Sequence, residues 1–330
     1  MISPISIYHI LSLTTNGANN KTQKEMVNTL GHNDKDEMNK QNKLVADIIS
    51  KFTSVELANA VFSKFVPESE FTAKIKEYKA GMEPLKDENQ INSWVSDATK
   101  KKITKIIDRL TTNDRMVLVN AIYFQGKWSK AFKKENNIKD NFMNFNKEPK
   151  MAEFMKLKEN FQFFENEEIQ AISLKYQTDS LSALIILPKN ELDINSYLKG
   201  FTDEKYDFIL KNLFEQKIFL SMPKFEINYG SELKPFLQAL GINDAFNDNA
   251  DFSGMTKKEK LYISKVIHKA FIKVDEQGTE AAAATAVVMT KRCIVHVPEM
   301  NINHPFLFIV RGENLPTSHD ILFISKVECL

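Results

Sequence analysis

Residues 275–286 read Asp-Glu-Gln-Gly-Thr-Glu-Ala-Ala-Ala-Ala-Thr-Ala, and this stretch suits neither a helix nor a strand. Alanine favours helix, but the β-branched residues Thr285, Val287 and Val288 oppose it. No large side chain between residues 279 and 286 could anchor a helix to a core, and a strand of alanines is weak as well. Small side chains do allow a segment to slide between two existing strands.

Insertion into a sheet would give this segment two different faces. Alternate side chains of a strand point in opposite directions, so Glu280 falls on the other face from Thr279. The Thr279 face would carry Thr279, Ala281, Ala283 and Thr285, and the Glu280 face would carry Glu280, Ala282, Ala284 and Ala286. The single charge can stay on a wet side, and Gly278 permits the backbone rotation that insertion requires.

The composition indicates a globular chain with a large core. The 330 residues are 43% hydrophobic and 26% charged. With 44 basic and 43 acidic residues, the net charge of +1 gives no support to nucleic-acid binding by the chain as a whole. Two cysteines exclude a disulfide framework and a multi-cysteine zinc site.

The order of helical and strand patterns indicates an α+β fold. Ser3-Pro4 predicts a helix start, and Thr22 with Glu25 resembles a capping box before a helix that ends at Gly31. Apolar spacing predicts further helices around residues 44–49, 91–98 and 233–240. Runs of apolar, β-branched and aromatic residues predict strands at residues 116–124, 182–187, 218–222, 304–310 and 321–324. Without an internal repeat or a long linker, we expect one continuous domain over residues 1–330.

Catalytic motifs are missing from the sequence. It has no Gly-x-Ser-x-Gly elbow, Walker loop, Gly-x-Gly-x-x-Gly or Cys-x-x-Cys, and none of its six histidines lies in a His-Glu-x-x-His pattern. A cysteine nucleophile at Cys293 with His296 is disfavoured, because residues three apart in a loop need not face each other. We therefore expect no enzyme, no cofactor and no metal site.

Two weaker features concern partners and location. The densest basic cluster is Lys100, Lys101, Lys102 and Lys105. A solvated helix face is the favoured interpretation, and weak polyanion binding is the alternative. The N-terminal residues lack a basic leader and a long apolar core, so cytoplasmic residence is the default, with unconventional export left open. We expect a monomer that binds no membrane.

Five separated stretches, in the same order along the chain, resemble motifs of the serpin family. The first contains Asn120 and Trp128 within residues 120–128, and the second is Ala250-Asp251-Phe252-Ser253-Gly254-Met255. The others are residues 261–270, residues 278–285 and His304-Pro305-Phe306-Leu307-Phe308. The resemblance runs essentially from end to end of the chain.

The resemblance implies a fold and a set of controlling residues. It implies a large central β-sheet with two further sheets, about eight helices and an exposed reactive loop at about residues 276–303. The family usually has a helix before the motif Ser3-Pro4-Ile5-Ser6, at which the given sequence begins. Residues at positions that control opening of the central sheet are Ser3, Ser6, Asn120, Trp128 and His268. Ordinary hydrogen-bonded core residues would look the same.

The resemblance also implies suicide inhibition of a protease, in which the cut loop inserts into the central sheet. Counting the family's spacing from Gly278 places the scissile bond at Arg292-Cys293, which implies a trypsin-like target. Cleavage after Met289 would imply a chymotrypsin-like enzyme. A cysteine protease and a non-inhibitory binding protein are further alternatives. The hinge of the loop would be Glu276, Gly278, Thr279, Glu280, Ala281, Ala282, Ala283, Ala284 and Thr285.

Overall fold

The computed structural model describes residues 1–178, 180–189, 193–278, 297–313, 315 and 320–330. The predicted reactive bond Arg292-Cys293 and the predicted hinge residues 279–285 lie outside the described residues. The helices are α1 (Pro4–Thr15), α2 (Asn20–Thr29), α3 (Lys35–Ile49), α4 (Ser69–Glu77), α5 (Glu88–Ala98), α6 (Ile194–Lys199), α7 (Asp203–Asn212) and α8 (Lys234–Ala239). The strands are β1 (Val55–Ser63), β2 (Gly81–Pro84), β3 (Met116–Phe124), β4 (Ile138–Met143), β5 (Pro149–Glu165), β6 (Ile169–Lys175), β7 (Leu181–Pro188), β8 (Phe214–Pro223), β9 (Phe225–Glu232), β10 (Ile263–Val274), β11 (Glu299–Asn301), β12 (Phe306–Gly312) and β13 (Ile321–Val327).

These elements form two compact units and two hydrogen-bonded sheets. The first unit comprises residues 2–124 and 228–271, and the second comprises residue 1, residues 125–227 and residues 272–330. A five-stranded sheet has the order β2-β1-β3-β10-β9. The eight-stranded sheet has the order β11-β8-β5-β6-β7-β12-β13, and β4 pairs with β5. The α+β class is confirmed.

In the first unit, β3 is a strand covered on both faces, as its apolar sequence predicts. All nine of its residues are buried. Met116 and Leu118 share a core cluster with residues of α1, whereas Val117 and Val119 share another with residues of α5. This alternation follows from the period of two residues along a strand. β3 is therefore held from two sides.

In the second unit, the eight-stranded sheet packs against α6 and α7. Leu184 and Ile186 of β7 share a core cluster with Ile194 of α6 and Ile209 of α7. β7 is buried along its whole length, which explains its uninterrupted apolar sequence. None of the helices that the structure describes is long and apolar enough to cross a membrane.

The capping prediction for the second helix is wrong, while its predicted end is confirmed. α2 begins at Asn20 with Asn19 as the N-cap, so Thr22 lies inside the first turn. The Thr22 hydroxyl accepts a hydrogen bond from the Asp251 backbone N–H at 2.9 Å instead of capping the helix. Gly31 ends the helical turn with a φ of +80°, which favours glycine.

Candidate functional site

A tight turn follows β10 and leads into the predicted reactive loop. The Asp275 N–H donates to the Gly278 carbonyl at 2.9 Å, and the Gly278 N–H donates back to the Asp275 carbonyl at 3.2 Å. The Gln277 carbonyl accepts from the Trp128 N–H at 2.9 Å, and the Glu276 carbonyl accepts from the Phe132 N–H at 2.8 Å. We call residues 275–278 the hinge turn. Its backbone is fastened to the segment that follows β3.

Gly278 occupies a position that only glycine fits. Its φ is +122°, a conformation that L side chains rarely adopt. A Cβ atom there would lie 2.6 Å from the Trp128 N atom and 2.7 Å from the Lys127 Cα atom, and it would also overlap the Gly126 carbonyl oxygen. All three obstacles are backbone atoms, so rotation of a side chain cannot relieve the contact.

Trp128 contacts the hinge turn through its side chain as well as its backbone. Its indole Nε1–H donates to the Asp275 carbonyl at 3.0 Å, and its ring stacks on Tyr176 with centroids 4.5 Å apart. The side chain is 1% exposed. A buried indole needs a hydrogen-bond acceptor, and the hinge turn supplies it.

Glu276 belongs to a network of charged and amide groups. Lys224 Nζ lies 2.6 Å from Glu276 Oε1 and 3.0 Å from Glu153 Oε1. Asn137 Nδ2 also donates to both carboxylates, at 2.5 Å to Glu276 and 2.7 Å to Glu153. We call these four residues the ionic latch, because they connect the hinge turn to Asn137 just before β4, to Glu153 within β5 and to Lys224 just after β8.

The ionic latch keeps both carboxylates charged. Burial would raise the pKa of Glu276, but hydrogen bonds from Lys224 and Asn137 outweigh it, so the pKa lies below its ordinary value. The pKa of Glu153 is lowered by the hydrogen bonds from Asn137 and Lys224. For Lys224, burial would lower the pKa, but the two carboxylates raise it above its ordinary value.

A second polar cluster lies in the first unit and is formed by side chains of β1, β3 and β10 with residues at the start of α1. The Asn120 Oδ1 atom accepts from Ser6 Oγ at 2.8 Å and lies 2.5 Å from His268 Nδ1. The Ser3 N–H donates to His268 Nε2 at 3.3 Å, and Asn120 Nδ2 donates to Asn59 Oδ1 at 2.5 Å. Ser3, Ser6, Asn120 and His268 are fully buried. We call them, together with Asn59, the neutral cluster.

The hydrogen bonds of the neutral cluster define the protonation of His268. Nε2 accepts from a backbone N–H, so the single proton of the ring lies on Nδ1 and donates to Asn120. Burial lowers the pKa of His268 from 6.5 to about 4. A second proton on Nε2 would face the Ser3 N–H and remove the hydrogen bond that this N–H donates to the ring. The cluster requires a neutral histidine.

The structure therefore brings together four of the five residues expected to control sheet opening. Ser3, Ser6, Asn120 and His268 share one cluster, while Trp128 contacts the hinge turn. Their role in sheet opening stays a prediction. The sequence did not indicate Asn137, Glu153 or Lys224, and the only signal for them was an acidic residue, Glu276, that needs a basic partner. Within the described ranges, no group of three His, Cys, Asp or Glu residues could hold a metal ion.

The predicted basic patch contains several engaged side chains. Lys100 pairs with Glu56, and Lys105 pairs with Asp108 at 2.7 Å. Lys102 lies over the Tyr123 ring with its Nζ atom 5.6 Å from the centroid. The carboxylates lower the net positive charge of this surface.

Comparison with known proteins identifies the family. The family model Serpin (serine protease inhibitor) matches residues 1–330. The chain belongs to the serpin family. Its family is thus one of protease inhibitors and not of enzymes. Serpin B8 from Bos taurus is 33% identical over 345 residues, which cover 98% of this chain and 91% of that protein.

Two further serpins illustrate how far the similarity extends. The leukocyte elastase inhibitor from Xenopus laevis is 36% identical over 349 residues, which cover 98% of this chain and 91% of that protein. The crystal structure of the thermophilic serpin Tengpin in its native state matches with a TM-score of 0.89 and 32% identity. That match covers 100% of this chain and 88% of the Tengpin chain.

Proposed function

We propose that this serpin is a suicide-substrate inhibitor of trypsin-like serine proteases. The protease would cleave the Arg292-Cys293 bond and become acyl-linked to Arg292. Residues 278–292 would then insert between β3 and β10 and distort the attached enzyme. The observation that carries the proposal is the arrangement of the five-stranded sheet, in which β3 and β10 are neighbours and the hinge turn follows β10 directly.

The strand directions favour insertion at this position. β3 ends at Phe124, and Lys127 pairs with Gly278, which lies four residues beyond the end of β10. The two strands therefore end at the same edge of the sheet and run parallel. A segment that reverses direction at the hinge turn would run antiparallel to both. It would replace one parallel pairing by two antiparallel pairings, which are slightly more stable per residue.

Hydrogen bonding can supply the energy for this change. About 15 residues that enter a sheet, at roughly 0.5–1.5 kcal/mol for each hydrogen bond, contribute on the order of 10 kcal/mol. An inserted strand of that length spans about 50 Å. The uncleaved protein is then held by a kinetic barrier, so that its stability is partly a rate.

Specificity is assigned from Arg292, whose guanidinium pairs with an aspartate at the base of a trypsin-like pocket. Cleavage after Met289 would favour a chymotrypsin-like protease, and a cysteine protease could be trapped by the same loop. The name of one relative refers to an elastase, which prefers small side chains, so the residue that enters the pocket has to be measured. Mass spectrometry of the fragment released by each candidate protease identifies the cut bond.

The central experiment mixes the protein with trypsin and looks for a complex that survives SDS. We expect such a complex with the unchanged protein and simple cleavage with Thr279→Arg, because a charge on the buried face would stall insertion. The matched control is Glu280→Arg, which places the same side chain on the opposite face and should leave complex formation intact. Stable complexes with Thr279→Arg at the normal ratio would contradict the hinge assignment.

A heating experiment separates an inhibitor from a non-inhibitory binding serpin. Cleavage near Arg292 should raise the melting temperature strongly if residues 278–292 enter the sheet. Equal melting temperatures before and after cleavage would favour the binding protein. Hydrolysis of an ester by the protein alone would contradict both interpretations.

Weak polyanion binding and cytoplasmic residence stay predictions. Lys100, Lys101 and Lys105 are exposed, but Glu56 and Asp108 pair with two of them. We expect the protein to elute from a heparin column below physiological salt, since so few free charges give little counterion release. Retention above that salt concentration, lost in Lys101→Gln, would show that the patch binds polyanions.

A further inference from the structure

The segment from the end of β3 to the start of β4 carries more lysines than acidic residues. From Lys127 to Lys139 the chain has five lysines and one acidic residue, Glu135. Lys130 pairs with Glu159 at 3.1 Å. The other four, Lys127, Lys133, Lys134 and Lys139, form no ion pair with a carboxylate of the described residues. Glu153 lies opposite Lys139 in the β4–β5 pairing, and the charge of Lys134 helps to lower the pKa of Glu153, so the positive charge of this stretch is in excess but partly compensated.

The adjoining β4–β5 hairpin exposes large apolar side chains. Asn141 pairs with Met151 and Met143 pairs with Pro149, so Met143 and Met151 share one face of the hairpin with Lys139. Met151 is 61% exposed, Phe145 48% and Met143 42%. The opposite face is buried through Phe142. Exposed Met and Phe beside basic residues have the composition of a protein-binding surface.

This surface is hydrogen-bonded to both ends of the predicted reactive loop. The Trp128 N–H donates to the Gln277 carbonyl at 2.9 Å, at the N-terminal end of the loop. The Met143 N–H donates to the Asn303 carbonyl at 2.7 Å, at the C-terminal end of the loop. Any enzyme that grips the loop is thus brought towards residues 127–151.

The length of the loop limits the distance between a bound protease and residues 127–151. The predicted reactive bond begins at Arg292, five residues before residue 297, and five residues span at most about 18 Å, so the bound enzyme can be at most about that far from the C-terminal end of the loop. A protease domain of about 220 residues has a radius of gyration of about 17 Å. The radius of the enzyme is therefore comparable with the largest separation, and the two surfaces come within reach.

We propose that Lys127, Lys133, Lys134, Lys139, Met143, Phe145 and Met151 form a docking surface for the target protease. The occupant it fits is a protease with acidic and apolar side chains beside its active-site cleft. The inference rests on the proposed function and adds to it: Arg292 would select the class of protease, and the docking surface would select among members of that class. The lysines would act mainly on the rate of association.

The test compares two triple variants. In the first, Lys133, Lys134 and Lys139 are changed to glutamine, and Lys127 is kept so that the hinge turn is not disturbed. The matched control changes Lys199, Lys205 and Lys211 to glutamine. These exposed lysines lie in α6 and α7, and the two helices follow the C-terminal end of β7. Tyr176, which contacts Trp128, lies near the N-terminal end of β7. Association rates and stoichiometries are measured with two trypsin-like proteases, one of acidic and one of basic surface charge.

We expect the first variant to slow association with the acidic protease about tenfold at low salt, with an unchanged stoichiometry and a smaller effect at high salt. Association with the basic protease should become faster, and the control should match the unchanged protein. Equal rates for the first variant and the control would overturn the proposal. Loss of heparin retention with unchanged protease rates would also overturn it and would assign the surface to polyanions.

A binding measurement keeps this test separate from the test of inhibition. A protease with its catalytic serine changed to alanine cannot form the acyl bond, so its affinity reports on docking even if no covalent complex ever forms. Met143→Ser with Met151→Ser should speed dissociation of that complex about fivefold, because exposed apolar contacts act mainly on the off-rate. An unchanged off-rate would remove the apolar residues from the docking surface. Absence of covalent complexes alone contradicts only the proposed function.

Discussion

The hinge turn and the neutral cluster are both polar, but the hinge turn is held by charged side chains and the neutral cluster by uncharged ones. At the hinge turn, Glu276 and Lys224 form an ion pair whose side chains keep 12% and 25% of their exposure. In the neutral cluster, Asn120 and His268 are fully buried and uncharged. A largely buried charged pair keeps its charge through its partner, whereas a buried histidine without an acidic partner avoids the cost of desolvation only by losing its proton.

The two sites should consequently respond to acid in different ranges. A carboxylate with a lowered pKa stabilises the fold above its unfolded value and loses that contribution as pH falls below it; for Glu276 the ordinary value is 4.5. A histidine with a lowered pKa destabilises the fold as pH falls through its unfolded value of 6.5 towards about 4. The neutral cluster is the first of the two to weaken on acidification.

The largest expected effect tests the rigidity of the hinge turn. Gly278→Ala should destabilise the native state by about 3–5 kcal/mol, because backbone strain adds to contacts with backbone atoms that cannot move independently. The midpoint of urea unfolding measures it. Gly31→Ala is the matched control: Gly31 also has positive φ, but no atom lies within 4 Å of the added Cβ, so about 1 kcal/mol is expected. Equal shifts for both variants would mean that the hinge turn can yield.

The next effect tests the ionic latch. Glu276→Lys removes one partner of a largely buried pair and places two ammonium groups together, so a loss of about 3 kcal/mol is expected. Lys105→Gln breaks the fully exposed Lys105–Asp108 pair and should leave the midpoint of urea unfolding essentially unchanged, because solvent screens that pair. The double change Glu276→Lys with Lys224→Glu should recover part of the loss. If it recovers nothing, the pairing of these two side chains is not what stabilises the turn.

The fold could be predicted where the apolar residues of a single strand or helix follow the period of that element. The limits of β3 agree with its apolar run, α3 and α5 follow apolar spacing, and α1 begins at Ser3-Pro4 as predicted. The sequence does not predict β1, because Val55–Ser63 contains Glu, Leu and two alanines that favour helix; its conformation is decided by pairing with β3 along all nine residues. β5 was missed because exposed and buried residues alternate irregularly over 17 residues.

The candidate site shows the same division. Family resemblance indicated Asn120 and His268, but no spacing along the chain predicts that residues 148 positions apart share a hydrogen bond. Lys224 could not be selected from the sequence, because a lysine after a strand is ordinarily solvated. Lys224 pairs with Glu276 because β8 and β5 lie close to the hinge turn. That proximity is a property of the tertiary structure and has no signal in the sequence.

A smaller effect tests the neutral cluster through pH. Between pH 7.5 and pH 5, titration of His268 should lower the free energy of unfolding by about 2 kcal/mol, because the unfolded state binds the proton more tightly. His268→Gln should be less stable at pH 7.5 but should lack this part of the pH dependence. The difference between the two pH profiles isolates His268 from His9, which is also buried. Parallel profiles would contradict a neutral, buried His268.

The smallest effect tests whether Trp128 holds the hinge turn by hydrogen bonding or by packing. Trp128→Phe keeps a ring against Tyr176 but removes the Nε1–H donor to the Asp275 carbonyl, and we expect a loss of about 1 kcal/mol. Tyr176→Leu keeps that donor and removes the stacking. If hydrogen bonding dominates, cleavage of the Asp275–Gly278 region by a nonspecific protease should increase in Trp128→Phe more than in Tyr176→Leu. The reverse order would show that packing of the stacked rings stabilises the turn. The ionic latch would then be the polar interaction that distinguishes the hinge turn from the neutral cluster.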